Sequence, residues 1–235
     1  MNGRFAGRVA FVAGGTGGLG RAVSLAFLEE GATVALTYER VNGFEALRNE
    51  AGSAASRLEG FATDVTSESS VGELVRAIMA KHGRLDAMVN AVGGFAAGAN
   101  LWETDPKVFE QMFVLNFRSG FVLARTVAPA MVKQGHGAIV NVASKAAVDH
   151  AAASAAYASS KAAAVAMIDS LAADLKGTQV RANSILPSII DTEANRKAMP
   201  SADFSKWPKP QEIARVILFL CSDDAKLIQG ASITV

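Results

Sequence analysis

Tyr157 and Lys161 stand four residues apart in Tyr157-Ala158-Ser159-Ser160-Lys161, inside an alanine-rich run. On a helix that spacing puts both side chains on one face, so the ammonium can approach the phenol. A tyrosine with an ordinary pKa near ~10 exchanges protons poorly at neutral pH, but a neighbouring cation stabilises the phenolate and lowers that pKa. The pair is therefore a candidate general acid or base. The same spacing also arises on solvent-facing helices, so other parts of the chain must give the pair its work.

The first such part is near the N-terminus. Arg8-Val9-Ala10-Phe11-Val12-Ala13 is a short apolar run that stops at Gly14-Gly15-Thr16-Gly17-Gly18-Leu19-Gly20, and the helical pattern Val23, Ala26, Phe27 and Glu30 follows. Residues without Cβ let a backbone turn tightly and approach a pyrophosphate, whose charge then lies at a helix N-terminus. A second strand at Gly31–Tyr38 completes the strand, glycine loop, helix, strand order of a dinucleotide site.

The alternation continues along the chain. Helices are predicted over Val41–Leu58, Ser67–Lys81, Pro106–Lys133, Ser154–Leu175 and Gln211–Cys221, with strands at Glu59–Thr63, Leu85–Asn90, Ala138–Val142, Gln179–Leu186 and Ala231–Val235. Pro187 to Pro210 reads as irregular. This order predicts an α/β fold: one Rossmann-type domain over residues 1–235, a doubly wound parallel sheet of about seven strands with helices on both faces. Ligands of such sheets bind beyond the strand C-termini. The glycine loop, Asp64, Asn90, Ser144 and Pro187 fall there, and Tyr157 and Lys161 open the helix that follows Ser144.

Composition agrees with small-molecule chemistry. Of 235 residues half are hydrophobic, enough for one sizeable core, and the net charge of +1 leaves no basic cluster for nucleic acid. No apolar run approaches a membrane span and Met1–Arg8 is no signal segment, so a cytoplasmic protein is expected. The single cysteine, Cys221, lies in an apolar run and reads as a buried structural thiol. The three histidines are scattered: His82 and His136 read as loop or surface residues, and His150 as a substrate contact.

Together these motifs resemble the short-chain dehydrogenase/reductases over almost the whole chain. The match comprises Gly14-x-x-x-Gly18-Leu19-Gly20, Asp64-Val65, Asn90-Ala91-Val92-Gly93, Asn116, Ser144, Tyr157-x-x-x-Lys161 and Pro187-Ser188. The resemblance implies an NAD(P)(H)-dependent oxidoreductase acting on a carbonyl or alcohol. Asn116, Ser144, Tyr157 and Lys161 would be its catalytic residues: Tyr157 exchanges the proton, Lys161 lowers its pKa and binds the nicotinamide ribose, Ser144 bonds the reacting oxygen, and Asn116 holds a water. It implies cofactor contacts at Gly14, Thr16, Gly17, Gly18, Leu19, Gly20, Asp64, Val65, Asn90, Gly93, Tyr157, Lys161, Pro187, Ile190 and Thr192. It requires no metal. It also implies a homodimer or homotetramer, built on the helix from Pro106 and the helix carrying Tyr157.

Two features bear on ligand choice. At the end of the second strand a carboxylate would bind a ribose 2′-OH and repel a 2′-phosphate. Tyr38 stands there, followed by Glu39, which opposes a 2′-phosphate, and Arg40, which can pair with one; NADP(H) is slightly favoured over NAD(H). The segments Val92–Gly98 and Asp191–Trp207 resemble the substrate-side loops of dihydropteridine reductases, although Ser144 and Tyr38 depart from them. A quinonoid pteridine is thus an alternative substrate, with Phe95, His150, Phe204 and Trp207 as substrate residues and 188–210 as a lid. A dinucleotide sensor or assembly subunit without turnover is the non-enzymatic alternative; the complete set of four catalytic residues argues against it.

Overall fold

A computed structural model describes residues 3–235. The strands are β1 (Val9–Ala13), β2 (Thr33–Thr37), β3 (Leu58–Phe61), β4 (Ala87–Asn90), β5 (Gly137–Val142), β6 (Val180–Leu186) and β7 (Ser232–Thr234). Between them run α1 (Gly18–Glu29), α2 (Val41–Ala51), α3 (Glu68–His82), α4 (Pro106–Phe113), α5 (Ser119–Gln134), α6 (Ala155–Asp174), α7 (Glu193–Ala198) and α8 (Pro210–Cys221). The seven strands form one parallel sheet in the order β3-β2-β1-β4-β5-β6-β7. The strand order reverses between β1 and β4, which opens a crevice at their C-terminal ends.

Burial explains why β1 reads as a continuous apolar run. All five of its residues are buried, but Ala10 and Val12 face a core with Val23, Phe27, Ile213 and Ile217, while Phe11 and Ala13 face Leu74, Ile78, Val127, Met131 and Ile168. Successive side chains leave opposite faces of a strand, and here helices cover both faces: α1 and α8 on one, α3, α5 and α6 on the other. Ser67 caps α3 by accepting from the Ser70 N–H at 3.4 Å, and Gly83 ends it in the left-handed region at φ 69°. No described helix is long and apolar enough to cross a membrane.

Three expectations need correction. The helix predicted to Leu58 stops at Ala51, because Gly52 takes φ 54° and a tighter helical turn over Gly52–Arg57 follows. The helix predicted over Pro106–Lys133 carries a π turn at Val114–Arg118, where Asn116 is buried. Phe109, Val114, Phe121 and Val132 along this helical run stay exposed in the single chain, on the element where a second copy is expected. The irregular stretch 187–210 contains α7, whose first turn Thr192 caps at 3.2 Å, and a short 3₁₀ turn at Phe204–Lys206.

The two histidines read as loop or surface residues each meet a carboxylate. His82 reaches Glu59 at 3.1 Å, and His136 reaches the buried Asp86 at 2.7 Å. Asp86 also accepts from the Val9 N–H and the Arg84 Nε, both at 2.8 Å. Burial alone would raise the Asp86 carboxyl, but these donors outweigh it and hold the group below its ordinary value. The cluster ties the start of β1 to β4 and β5, at the opposite end of the sheet from the crevice. Cys221 is buried as expected, and burial pushes its thiol up to about 12.

Candidate active site

The glycine loop closes on itself and on β2. Gly14 takes φ 72° and donates to the Thr37 Oγ1 at 2.9 Å, while the Gly15 N–H donates to the Thr37 carbonyl at 3.0 Å. A Cβ on Gly20 would lie 2.1 Å from the Gly14 carbonyl oxygen, so only glycine allows the first turn of α1 to pack here. Beside this loop opens a cleft of about 1210 Å³. Gly14, Thr16, Gly17, Tyr38, Arg40, Asp64, Val65 and Gly93, all expected cofactor contacts, line it. Glu39, Asn42 and Gln111 line it as well. Tyr38 stacks on Phe44 with ring centroids 5.2 Å apart and planes 14° apart, and Glu39 and Arg40 are exposed at the mouth. The Asp64 carboxylate accepts from the hydroxyl and the backbone N–H of Thr66, which keep it below its ordinary value.

Other predicted contacts sit elsewhere. Gly18, Leu19 and Gly20 form the first turn of α1 and do not line the cleft. Asn90 is buried and committed to structure: its Nδ2 donates to the Asn141 Oδ1 at 2.9 Å, and its Oδ1 accepts from the Val92 N–H at 3.1 Å. Pro187 accepts from the Lys145 N–H at 2.9 Å, so the turn after β6 is tied to the loop after β5. Thr192 sits against the glycine loop, close enough that a Cβ on Gly18 would come within 2.7 Å of its methyl.

The four candidate catalytic residues meet at the C-terminal ends of β4 and β5. Asn116 holds the loop after β4: its Oδ1 accepts from the Gly94 N–H at 2.9 Å, and its Nδ2 donates to the Gly94 carbonyl at 3.1 Å and the Ser160 Oγ at 3.0 Å. The π turn lets it do so by inserting one residue into the helix, a device that recurs at functional sites. A Cβ on Gly93 would lie 2.9 Å from the Asn116 Oδ1 and 3.0 Å from the Lys161 Nζ, so the absence of a side chain leaves the cleft in reach of both. That cradle fits an extended dinucleotide, with Gly93 and Lys161 at the end remote from Tyr38.

Tyr157 is half-buried, and burial raises its phenol above the ordinary value; the neighbouring Ser144 hydroxyl pulls in the opposite direction. Lys161 is buried, and loss of hydration lowers its ammonium to about 8. Its Nζ donates to the Val142 carbonyl at 3.1 Å. Here the structure departs from the expectation that Lys161 lowers the Tyr157 pKa: the amine is turned to the end of β5, and desolvation dominates the phenol.

The short chain dehydrogenase family matches residues 8–203. The chain belongs to it. Among curated relatives, D-threitol dehydrogenase of Mycolicibacterium smegmatis is 34% identical over 241 residues, spanning 99% of this chain and 92% of that one. The solved structure "ElxO with NADP Bound" has TM-score 0.92 at 27% identity, covering 97% of this chain and 96% of that one. An NAD⁺-bound xylitol dehydrogenase structure has TM-score 0.90 at 26% identity, covering 98% of each chain.

For this short-chain dehydrogenase, the sequence reading missed the residues that set the site. Gly94 and Ser160 hold Asn116, and Ser160 in turn donates to the Tyr157 carbonyl at 2.7 Å. Ser160 lies within the Tyr-x-x-x-Lys stretch, which was the one available signal. Of the four expected substrate residues, Phe95 meets Tyr157 edge to face, with ring centroids 4.9 Å apart at 77°. Phe204 and Trp207 pack on each other at 4.9 Å, with the Arg196 guanidinium 4.8 Å over Phe204 and paired to Asp191. His150 is exposed.

Proposed function

We propose that the chain is an NAD(P)(H)-dependent oxidoreductase that interconverts a carbonyl and an alcohol, with Asn116, Ser144, Tyr157 and Lys161 as its catalytic machinery. The observation that carries this reading is the junction of Asn116 and Lys161 at Gly93, beside the half-buried Tyr157 and Ser144. The nicotinamide, when bound, supplies or takes up the hydride. Everything else falls to the protein.

Tyr157 gives its proton to a carbonyl oxygen during reduction; burial raises the phenol and opposes that transfer, while the Ser144 hydroxyl pulls it back toward the working range. In the reverse direction it takes the alcohol proton. The Ser144 hydroxyl, beside it, donates a hydrogen bond to the same oxygen and spreads its developing charge. Lys161, whose amine titrates near neutrality at about 8, keeps a positive charge close to the site and binds the nicotinamide ribose. Asn116 fixes the Gly93-Gly94 backbone along the cleft and holds a water that passes protons onward.

Thr16, Gly17, Tyr38, Arg40, Asp64 and Val65 hold the adenosine half, and Gly93, Lys161, Pro187, Ile190 and Thr192 the nicotinamide half. Tyr38 takes the place of a carboxylate that would oppose a 2′-phosphate, and Arg40 is exposed beside it without an ion-pair partner among the described residues. This favours NADP(H). Comparing kcat/KM for the two cofactors on one carbonyl substrate is expected to give the higher value with NADPH; a large preference for NADH would contradict the assignment.

A further inference from the structure

Phe95 is 72% exposed, yet its ring is held in one place. On one side Gly94 makes two hydrogen bonds to Asn116, at 2.9 and 3.1 Å. On the other, the Gly98 N–H donates to the Ala153 carbonyl at 2.8 Å, with Gly98 at φ 106° and Ala153 at φ 56°. A non-glycine residue keeps a left-handed backbone only where its surroundings fix it. The loop is thus pinned at both ends, once to a catalytic residue and once beside the start of α6, and it lays an aromatic ring against Tyr157. Core packing does not account for a ring this exposed, because little of its surface is removed from water.

The surroundings define what such a ring would meet. The loops after β4, β5 and β6, three adjacent strands, each present an exposed apolar side chain: Phe95 at 72%, Val148 at 54% and Ile189 at 43%. In the loops after β5 and β6, Lys145, Arg196, Lys197 and Lys206 each pair with a carboxylate of the same loop, and Lys209 alone stands outside such a pair. A site for an anionic ligand would keep uncompensated cations for it.

We propose that Phe95 is the specificity-determining residue of this enzyme: it selects an uncharged carbonyl or alcohol whose reacting carbon is borne on a flat ring, and stacks that ring beside the Tyr157 hydroxyl. Offset or edge-to-face contact with a rigid aromatic gives such a substrate affinity and orientation together. An acyclic polyol or an anionic 3-oxoacyl thioester gains neither. The proposal deepens the oxidoreductase reading above and rests on it.

The test uses the native protein, Phe95→Ala and Phe95→Trp with an uncharged aryl ketone, a small acyclic ketone, a polyol and a 3-oxoacyl thioester. The native protein should show its highest kcat/KM with the aryl ketone. Phe95→Ala should raise KM for that ketone about tenfold with a much smaller change in kcat, and raise it several-fold more than KM for the acyclic ketone, and Phe95→Trp should restore KM. Preference of the native protein for the polyol or the thioester would overturn the proposal, as would an unchanged aryl ketone KM in Phe95→Ala. Absence of turnover with every compound would overturn the oxidoreductase reading itself, a result distinct from either.

Discussion

Replacing Tyr157 by phenylalanine is expected to lower kcat by about 10³-fold while cofactor affinity stays nearly unchanged. The substitution removes one oxygen and keeps the ring, so the edge-to-face contact with Phe95 survives. The dinucleotide cleft is built by the glycine loop and the ends of β2, β3 and β4, none of which depends on the phenol. What disappears is the proton that must reach the substrate oxygen as the carbon receives its hydride. Water can replace it only at the cost of the whole contribution of a positioned acid, roughly 10²- to 10⁴-fold. Cofactor titration and steady-state turnover on the same preparation check both halves. Comparable turnover in Tyr157→Phe would remove the tyrosine from the mechanism.

Lys161→Met is expected to separate activity from stability. The amine is buried, its one hydrogen bond among the described residues is to the Val142 carbonyl, and burial lowers its pKa from 10.5 to about 8. Losing that hydrogen bond costs about 1 kcal/mol. Removing a buried, carboxylate-free ammonium recovers a few kcal/mol of desolvation at neutral pH, and methionine fills a similar volume. The variant should therefore melt at a higher temperature than the native protein at pH 7 and fall by roughly 10²-fold in kcat. The pH dependence has a definite sign. Between about 8 and 10.5 the unfolded lysine holds its proton and the folded one has lost it, so the native penalty is full below about 8 and fades as the pH rises toward 10.5. The stability advantage of Lys161→Met should shrink over that window. A variant less stable than the native protein at pH 7 would show that the amine has stabilising partners beyond Val142.

Much of this site was legible in the sequence because its chemistry constrains residue types at short spacing. Tyr157 and Lys161 one helical turn apart, glycines between a strand and a helix, and polar residues at strand ends can each be read without knowing what packs on what. The family resemblance then supplied Asn116 and Ser144. Tertiary register decided the rest. The side chain of the buried Asn90 is tied up in structure because β4 and β5 align it with Asn141. The direction of the Lys161 amine depends on where β5 ends, and the fixing of Phe95 depends on Asn116 and Ala153, residues 21 and 58 positions away in the chain. The partners of His82 and His136 were not legible because the carboxylates that meet them, Glu59 and Asp86, lie on other elements or beyond a helix.

The most direct measurement follows the hydride. Native protein is incubated with a reduced nicotinamide cofactor deuterated at the transferable position and with its best carbonyl substrate, and the alcohol is analysed by mass spectrometry and NMR. A single deuterium on the carbinol carbon, with the hydroxyl proton drawn from solvent and the conversion slowed about 10³-fold in Tyr157→Phe, is the predicted result. An alcohol whose carbinol hydrogen comes from solvent would contradict the account, as would dinucleotide binding without reduction of any carbonyl compound.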